Sequence, residues 1–233
     1  MNSKKSAGIL YIVATPIGNI EDISLRALRI LKIVDAVICE EFKQGIRLLK
    51  KLKVDSKLIC LNEHNEAESV QNILVALMQG KSYALISDCG TPVFADPGQL
   101  LISTLTEMNI KIVPVPGPSS LMAALSVCSI RMDQFMFVGF LPPKSEKRLN
   151  ALNRIKGQNL PLVLMDTPYR MTRLLEDVIQ VFGKKRYICL ACDLTLPKEL
   201  ILHGQVGDII KQVSGQKKEF ILIIDNRKTQ RRN

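Results

Sequence analysis

A chain of 233 residues, 47% of them apolar, has enough material for one large core or for two domains of about 100–150 residues each. Its 32 basic residues against 22 acidic ones leave a net charge of +10, which favours a polyanionic partner through the summed field. That partner is nucleic acid rather than membrane, because no apolar run approaches the roughly 18 residues of a spanning helix.

The opening MNSKKSAGILYIVATP has the outline of a minimal signal peptide, but its short apolar part runs directly into a patterned segment and reads as a first strand. Short β-rich runs then alternate with helix-period segments: LYIVA (10–14), AVICE (36–40), LICLN (58–62), YALISD (83–88) and KIVPVP (111–116). Near-continuous apolar strands separated by helices imply a mainly parallel sheet covered on both faces. Leu25, Leu28 and Leu31, with Ile30 and Val34, mark an amphipathic helix between the first two strands. Asn65 and Glu68 resemble a capping-box pair at the start of the helix that ends before Gly80.

PVPGPSS (114–120) packs three prolines and a glycine into a stiff connection, after which FMFVGF, LVLMD, YICLA, LILHG and FILIID supply a second set of strands. The expected division is an N-terminal α/β domain over 1–117, a C-terminal α/β domain over 118–226 and a basic tail over 227–233. Two such halves meeting at a rigid hinge would make a cleft for a ligand. Cysteines 39, 60, 89, 128, 189 and 192 lie mostly in apolar runs, which suits reduced thiols in a cytoplasm. Only Cys189 and Cys192 form a C-x-x-C pair, and without a second pair no zinc site is expected.

Several chemistries lose their main support. No G-x-G-x-x-G opens a helix, no G-x-x-x-x-G-K-[ST] exists, and two histidines cannot make H-E-x-x-H. A serine hydrolase would need His64 or His203 and a G-x-S-x-G elbow that is absent. What remains are three glycine–proline turns, TPIGN (15–19), DCGTPVFADPG (88–98) and PGPSS (116–120), each at the C-terminal end of an expected parallel strand. Ligands of open α/β sheets gather at those ends. Glycine there admits close backbone approach and proline stiffens the loop. Pro97 and Pro118 also suit the first turns of following helices, with Asp96 as N-cap.

In order and spacing, LYIVATPIGNIEDISLRAL, LISDCGTPVFADPG, VPVPGPSS and FVGFLPPK resemble the small-subunit ribosomal RNA 2′-O-ribose methyltransferase I family, a branch of the tetrapyrrole methylase superfamily. The resemblance covers nearly the whole chain. It implies two α/β domains of the tetrapyrrole methylase type with a cleft for S-adenosylmethionine between them, in a homodimer acting on ribosomal RNA or the small ribosomal subunit. Carried over by position, Pro16, Asp88, Gly90, Thr91, Val93 and Phe94 should meet the cofactor, with Ser119, Ser120 and Leu121 on its adenosine side and Met165 and Leu194 from the second domain. Asp96 is expected to hold the loop, and Cys89 stands where the family usually has alanine.

Departures fall mainly on polar positions elsewhere. The family's A-E-D-T-R reads Cys39-Glu40-Glu41-Phe42-Lys43 here, and H-E-H-N-E reads Asn62 to Glu66, without the first histidine. E-S-P-H-R becomes Asp166-Thr167-Pro168-Tyr169-Arg170, and R-E-L-T-K becomes Cys192-Asp193-Leu194-Thr195-Leu196. A ribose hydroxyl is a poor nucleophile until its proton begins to leave. Glu40 and Glu41 are the candidate bases, and Asn19, Lys43, His64, Tyr169 and Arg170 the candidate RNA contacts. Lysines 50, 51, 53, 144 and 147 and Arg148 would add attraction to phosphates without choosing a sequence. The expected reaction is 2′-O-methylation of a cytidine in 16S, small-subunit, ribosomal RNA. The competing readings are a tetrapyrrole or other small-molecule methylase and a SAM- or RNA-binding module without turnover.

Overall fold

The computed structural model describes residues 7–94 and 96–227, so the basic tail beyond Arg227 lies outside the described residues. The chain divides after Ser119, two residues beyond the expected boundary. The first unit contains β1 (Ile9–Val13), α1 (Leu25–Ile33), β2 (Ala36–Cys39), α2 (Phe42–Lys51), β3 (Leu58–Cys60), α3 (Glu66–Met78), β4 (Tyr83–Ile86), α4 (Gln99–Glu107) and β5 (Lys111–Val115). The second contains α5 (Ser120–Ser126), β6 (Met136–Phe140), α6 (Ser145–Ile155), β7 (Leu162–Asp166), α7 (Met171–Phe182), β8 (Tyr187–Cys192), β9 (Leu200–Gln205), α8 (Val206–Val213) and β10 (Phe220–Ile224).

The first unit's sheet has the order β3-β2-β4-β1-β5, and every pairing in it is parallel. Alternation along the strands splits its core in two. Leu10, Ala36, Ile38, Tyr83 and Leu85 face α3 and α4 through Ile73, Leu77, Leu101 and Leu105. Val13, Val37, Cys39, Ala84 and Ile86 face α1 and α2 through Ala27, Leu31, Leu49 and Leu52. β1 and β4 are therefore neighbours whose following helices leave to opposite faces. Their C-terminal ends form a switch point, the place where open α/β sheets bind their ligands.

The second unit's sheet, β6-β7-β10-β8-β9, is mixed: only β6 and β7 run parallel, and β10 pairs antiparallel with both β7 and β8. Leu164, Ile188, Leu190, Leu222 and Ile224 pack under α6, α7 and α8. Val163, Cys189, Ala191, Ile221 and Ile223 pack with Ala124 of α5 on the opposite face. Inside the helical layer, Arg148 and Asp177 form a buried ion pair (Nε–Oδ2 2.5 Å), and Arg148 also donates to the Pro143 carbonyl.

Several local expectations are corrected. Leu25 is exposed, while Leu28 and Leu31 join the core. A three-residue step falls about 60° short of a full helical turn, so Leu25 drifts off the buried stripe. Asn65 does stand at the N-cap of α3, but its side chain accepts from the Asn62 amide (2.8 Å) and donates to the Cys60 carbonyl (3.1 Å), so no capping box forms. Asp96 does not cap α4. The N-cap is Gly98, and the Glu66 carboxylate accepts from the Gly98 and Leu100 amides (3.0 and 3.3 Å). Pro97 and Pro118 precede their helices rather than entering the first turn. Pro114 belongs to β5, not to the connection, opposite Ile12 on an edge strand. The Arg26 guanidinium donates to the Pro114 carbonyl.

Candidate active site

The three glycine–proline turns of the sequence converge in the first unit. Buried Thr15, just past β1, exchanges backbone hydrogen bonds with Gly90 in both directions (2.8 and 3.2 Å), and its hydroxyl donates to the Ser87 carbonyl (3.0 Å). The Thr91 hydroxyl reaches the Pro118 carbonyl (3.3 Å). TPIGN, DCGTP and PGPSS are thereby fastened into one edge, with Pro16, Gly90 and Thr91 together. Gly90 has φ +86°, and a Cβ there would meet Ile17 Cγ2 at 3.3 Å. A residue other than glycine would be strained in conformation and crowded by the TPIGN loop.

The same loop holds Val93 at φ 71°. A β-branched residue in left-handed conformation is an outlier whose cost of about 1–3 kcal/mol the surroundings must offset, and such outliers gather at ligand sites. Phe94 follows with its ring 58% exposed.

Acidic groups crowd this edge. Asp88 lies past β4 and Glu40 and Glu41 lie past β2, its neighbour in the sheet. The Asp88 carboxyl is raised above the usual carboxylate range by partial burial and by the charges of Glu41 and Asp96, against a hydrogen bond from the Glu41 amide that lowers it. Glu40 is raised as well, by burial first and then by the charges of Asp96, Asp88, Glu63 and Glu41. Asp96 thus joins the site electrostatically, besides its expected role in the loop. Like charges held this close favour a cationic ligand, which would relieve their repulsion.

The expected RNA contacts separate. Asn19 caps the 3-10 turn Ile20–Asp22, accepting from the Glu21 amide (3.1 Å). Lys43 is exposed in the first turn of α2, and His64 is exposed with its backbone amide bonded to Asn62 Oδ1 (3.0 Å). In the second unit, Tyr169 is 75% exposed and carries Lys217 over its ring at 4.7 Å. The Arg170 guanidinium is engaged internally, paired with Asp166 (2.5 Å) and donating to the Leu141 carbonyl (3.4 Å).

Leu121, Met165 and Leu194 share one apolar cluster on the α5 face of the second sheet. Leu194 stands between Asp193 and Thr195, both at positive φ (49° and 64°). Asp193 is pinned by Lys218 Nζ (2.6 Å) and the Glu219 amide (3.1 Å), and the Thr195 amide donates to Glu199 (2.7 Å). Ser119 and Ser120 stand at the division of the two units, Ser120 opening α5. The two C-x-x-C sulfurs lie on opposite faces of β8, Cys189 with the α5 cluster and Cys192 with the α6–α8 core, so they cannot share an ion.

The model of the tetrapyrrole (corrin/porphyrin) methylases matches residues 9–210. The chain belongs to that family. It is 38% identical over 233 residues to ribosomal RNA small subunit methyltransferase I of Escherichia coli O157:H7, covering 98% of this chain and 82% of that protein. It is 41% identical to the protein of the same name from Pseudomonas aeruginosa, covering 91% and 77%. Among solved structures, diphthine synthase aligns with a TM-score of 0.73 at 15% identity, over 93% of this chain and 89% of that one. A uroporphyrin-III C-methyltransferase from Thermus thermophilus complexed with S-adenosylhomocysteine aligns at 0.64 and 16%, over 93% and 97%. At such identities the solved structures speak for the fold.

The chain is a methyltransferase of the S-adenosylmethionine-dependent class. Its own residues fit that cofactor on two counts. The acidic edge of Glu40, Glu41, Asp88 and Asp96 suits a ligand carrying a sulfonium and an ammonium, and the strained Gly90–Phe94 loop offers close main-chain approach beside it.

Proposed function

We propose that this methylase acts on small-subunit ribosomal RNA, methylating the 2′-hydroxyl of a cytidine, as a cytoplasmic homodimer. The carrying observation is the acidic switch-point edge in a chain that is 38–41% identical, over at least 91% of its length, to two proteins named for methylating small-subunit ribosomal RNA. Among the described residues no helix is long and apolar enough to cross a membrane.

When bound, S-adenosylmethionine supplies an electrophilic methyl group on a sulfonium centre. Asp88 and the main chain of Val93 and Phe94 would hold its charged end, and the family resemblance assigns Ser119, Ser120, Leu121, Met165 and Leu194 to it as well. Displacement at a methyl carbon requires the attacking oxygen in line, so the chief task of the protein is positioning. Glu40 is assigned to take the hydroxyl proton. Its raised pKa brings it closer to the working pH, where a general base is most effective. Glu41, whose amide serves Asp88, acts as a positioning residue. Lys43, His64 and Tyr169 are the candidate RNA contacts, Asn19 and Arg170 supporting them through the turn and ion pair they hold.

The test is methyl transfer from labelled S-adenosylmethionine to small ribosomal subunits lacking the modification, with mass mapping of the product. The expected outcome is one 2′-O-methylcytidine, lost with Asp88→Ala. Transfer to no RNA by protein that binds the cofactor would overturn the substrate assignment. Sedimentation of the purified protein tests the dimer, which fails if the species is monomeric at micromolar concentration.

A further inference from the structure

The stretch from Phe42 to Lys57 holds six cations, Lys43, Arg47, Lys50, Lys51, Lys53 and Lys57, against the single acid Asp55. Its net +5 is half of the +10 of the whole chain, in 16 of 233 residues. Successive helical residues advance by about 100°, which puts Lys43, Arg47, Lys50 and Lys51 on one contiguous arc, opposite Gly45 and Leu49 that bury against the sheet. Among the described residues none of the six forms an ion pair, whereas Arg148, Arg170, Lys218 and Arg227 all do. An unneutralised row of this kind is held apart from its own repulsion only by solvent, and suits a row of phosphates.

Two further features share this face. Phe42 and Ile46, one turn apart, are 48% and 50% exposed at the border of the cationic arc. Beside them a cavity of about 430 Å³ has both charges in its lining, Lys50 and Lys53 with Asp55, next to Ile46, Leu49 and Ser56. The Ser56 hydroxyl is buried in its wall without a hydrogen-bond partner. A buried hydroxyl left unmatched costs about 1–3 kcal/mol unless a ligand satisfies it. Apolar Ile46, Leu49, Val54 and Leu58, with Asp55, Ser56 and the flanking Lys50 and Lys53, suit an unstacked base that enters edge-first while its phosphates stay outside.

We propose that α2 and the cavity at its C-terminal end are the RNA docking surface of this enzyme, the cations holding consecutive phosphates of a single-stranded segment and the cavity taking one unstacked base. α2 begins directly after Glu40 and Glu41, so an RNA strand laid along it leads to the acidic edge. The proposal rests on the ribosomal RNA reading above and assigns to it a surface away from the cofactor loops.

Fluorescence anisotropy with an unmodified RNA oligonucleotide of the small subunit, across 50–250 mM salt, tests it on the full chain. The triple variant Arg47→Gln, Lys50→Gln, Lys51→Gln keeps good helix formers at exposed positions and should remain folded. Its salt slope should fall by about 2, at ~0.7 per lost single-strand phosphate contact. Its affinity at 100 mM salt should fall roughly tenfold or more, with cofactor binding by calorimetry unchanged. Ser56→Ala should leave the melting temperature level or higher and weaken RNA binding several-fold, because only the bound state uses the hydroxyl. An unchanged RNA affinity and salt slope in the triple variant would overturn the proposal. So would a variant whose sole change is loss of the dimer, since the face would then serve a second copy. If wild-type protein methylates the small subunit and the triple variant does so with the same KM, the docking surface fails and the function stands. If wild type methylates nothing while the variants still lose RNA affinity, the function fails and the surface stands.

Discussion

Asp88→Asn removes a charge and keeps the shape at the point where the acidic edge is held together by the Glu41 amide. Losing one charge-assisted interaction is worth about 1.5–3 kcal/mol, so calorimetry should show cofactor affinity lower by roughly ten- to a hundredfold, with a melting temperature at neutral pH no lower than wild type, because the Asp88 carboxyl is raised in the fold. Glu40 follows the same rule. Its folded pKa is raised, so the native state binds the proton more tightly than the unfolded chain, and stability falls as pH rises from the unfolded value through the folded one. Glu40→Gln should therefore melt higher than wild type at neutral pH, the advantage vanishing in acid, while its methyl-transfer rate drops and loses the acidic limb of its pH profile. A rate profile that keeps that limb would remove Glu40 as the base. At this scale the sequence was readable where a residue type answers a local demand, as Gly90 does at φ +86°. It was silent on Glu66, whose bonds to Gly98 and Leu100 span more than thirty positions, and on Asp193 and Thr195, whose left-handed backbone no residue preference announces.

The helix α2 shows how closely an element can be seated. A Cβ added at Gly45 would come within 2.7 Å of Cys39 Sγ and 3.3 Å of Leu58 Cδ2, both under the helix. Gly45→Ala should thus lower stability by about 1–2 kcal/mol, overpacking of 1–3 kcal/mol exceeding the gain of up to 1 kcal/mol in helix propensity. Adding Cys39→Ala should restore most of it in a double-mutant cycle read by urea melts; additive losses would show that the contact is not the cause. Strands were the most legible elements because the inner strands β2 and β4 of the first unit are buried on both faces and so form unbroken apolar runs, AVIC and YALI. Helix starts were the least legible. Asn65 and Asp96 carry the right chemistry for caps, yet nearby backbone and the distant Glu66 outcompete them.

At the scale of the molecule, division into two α/β units could be read from the change of pattern near the proline cluster, but the antiparallel pairing of β10 in the second sheet could not, since a buried strand has the same composition in either direction. The proline misjudged there has a consequence for the protein in solution. In a strand, the amide and carbonyl of one residue point to the same side, and the Pro114 carbonyl points to Arg26 rather than into the ladder with β1. Pro114 has no amide hydrogen, and its carbonyl is already taken. The outer rim of the first sheet is thus interrupted at Pro114, which offers neither donor nor acceptor midway along β5, where a passing chain would otherwise pair as a sixth strand. Pro114→Val together with Arg26→Ala should open that rim: the protein should still bind its cofactor when dilute, yet scatter light progressively on concentration, whereas equal scattering by both proteins would mean that the rim is guarded in some other way.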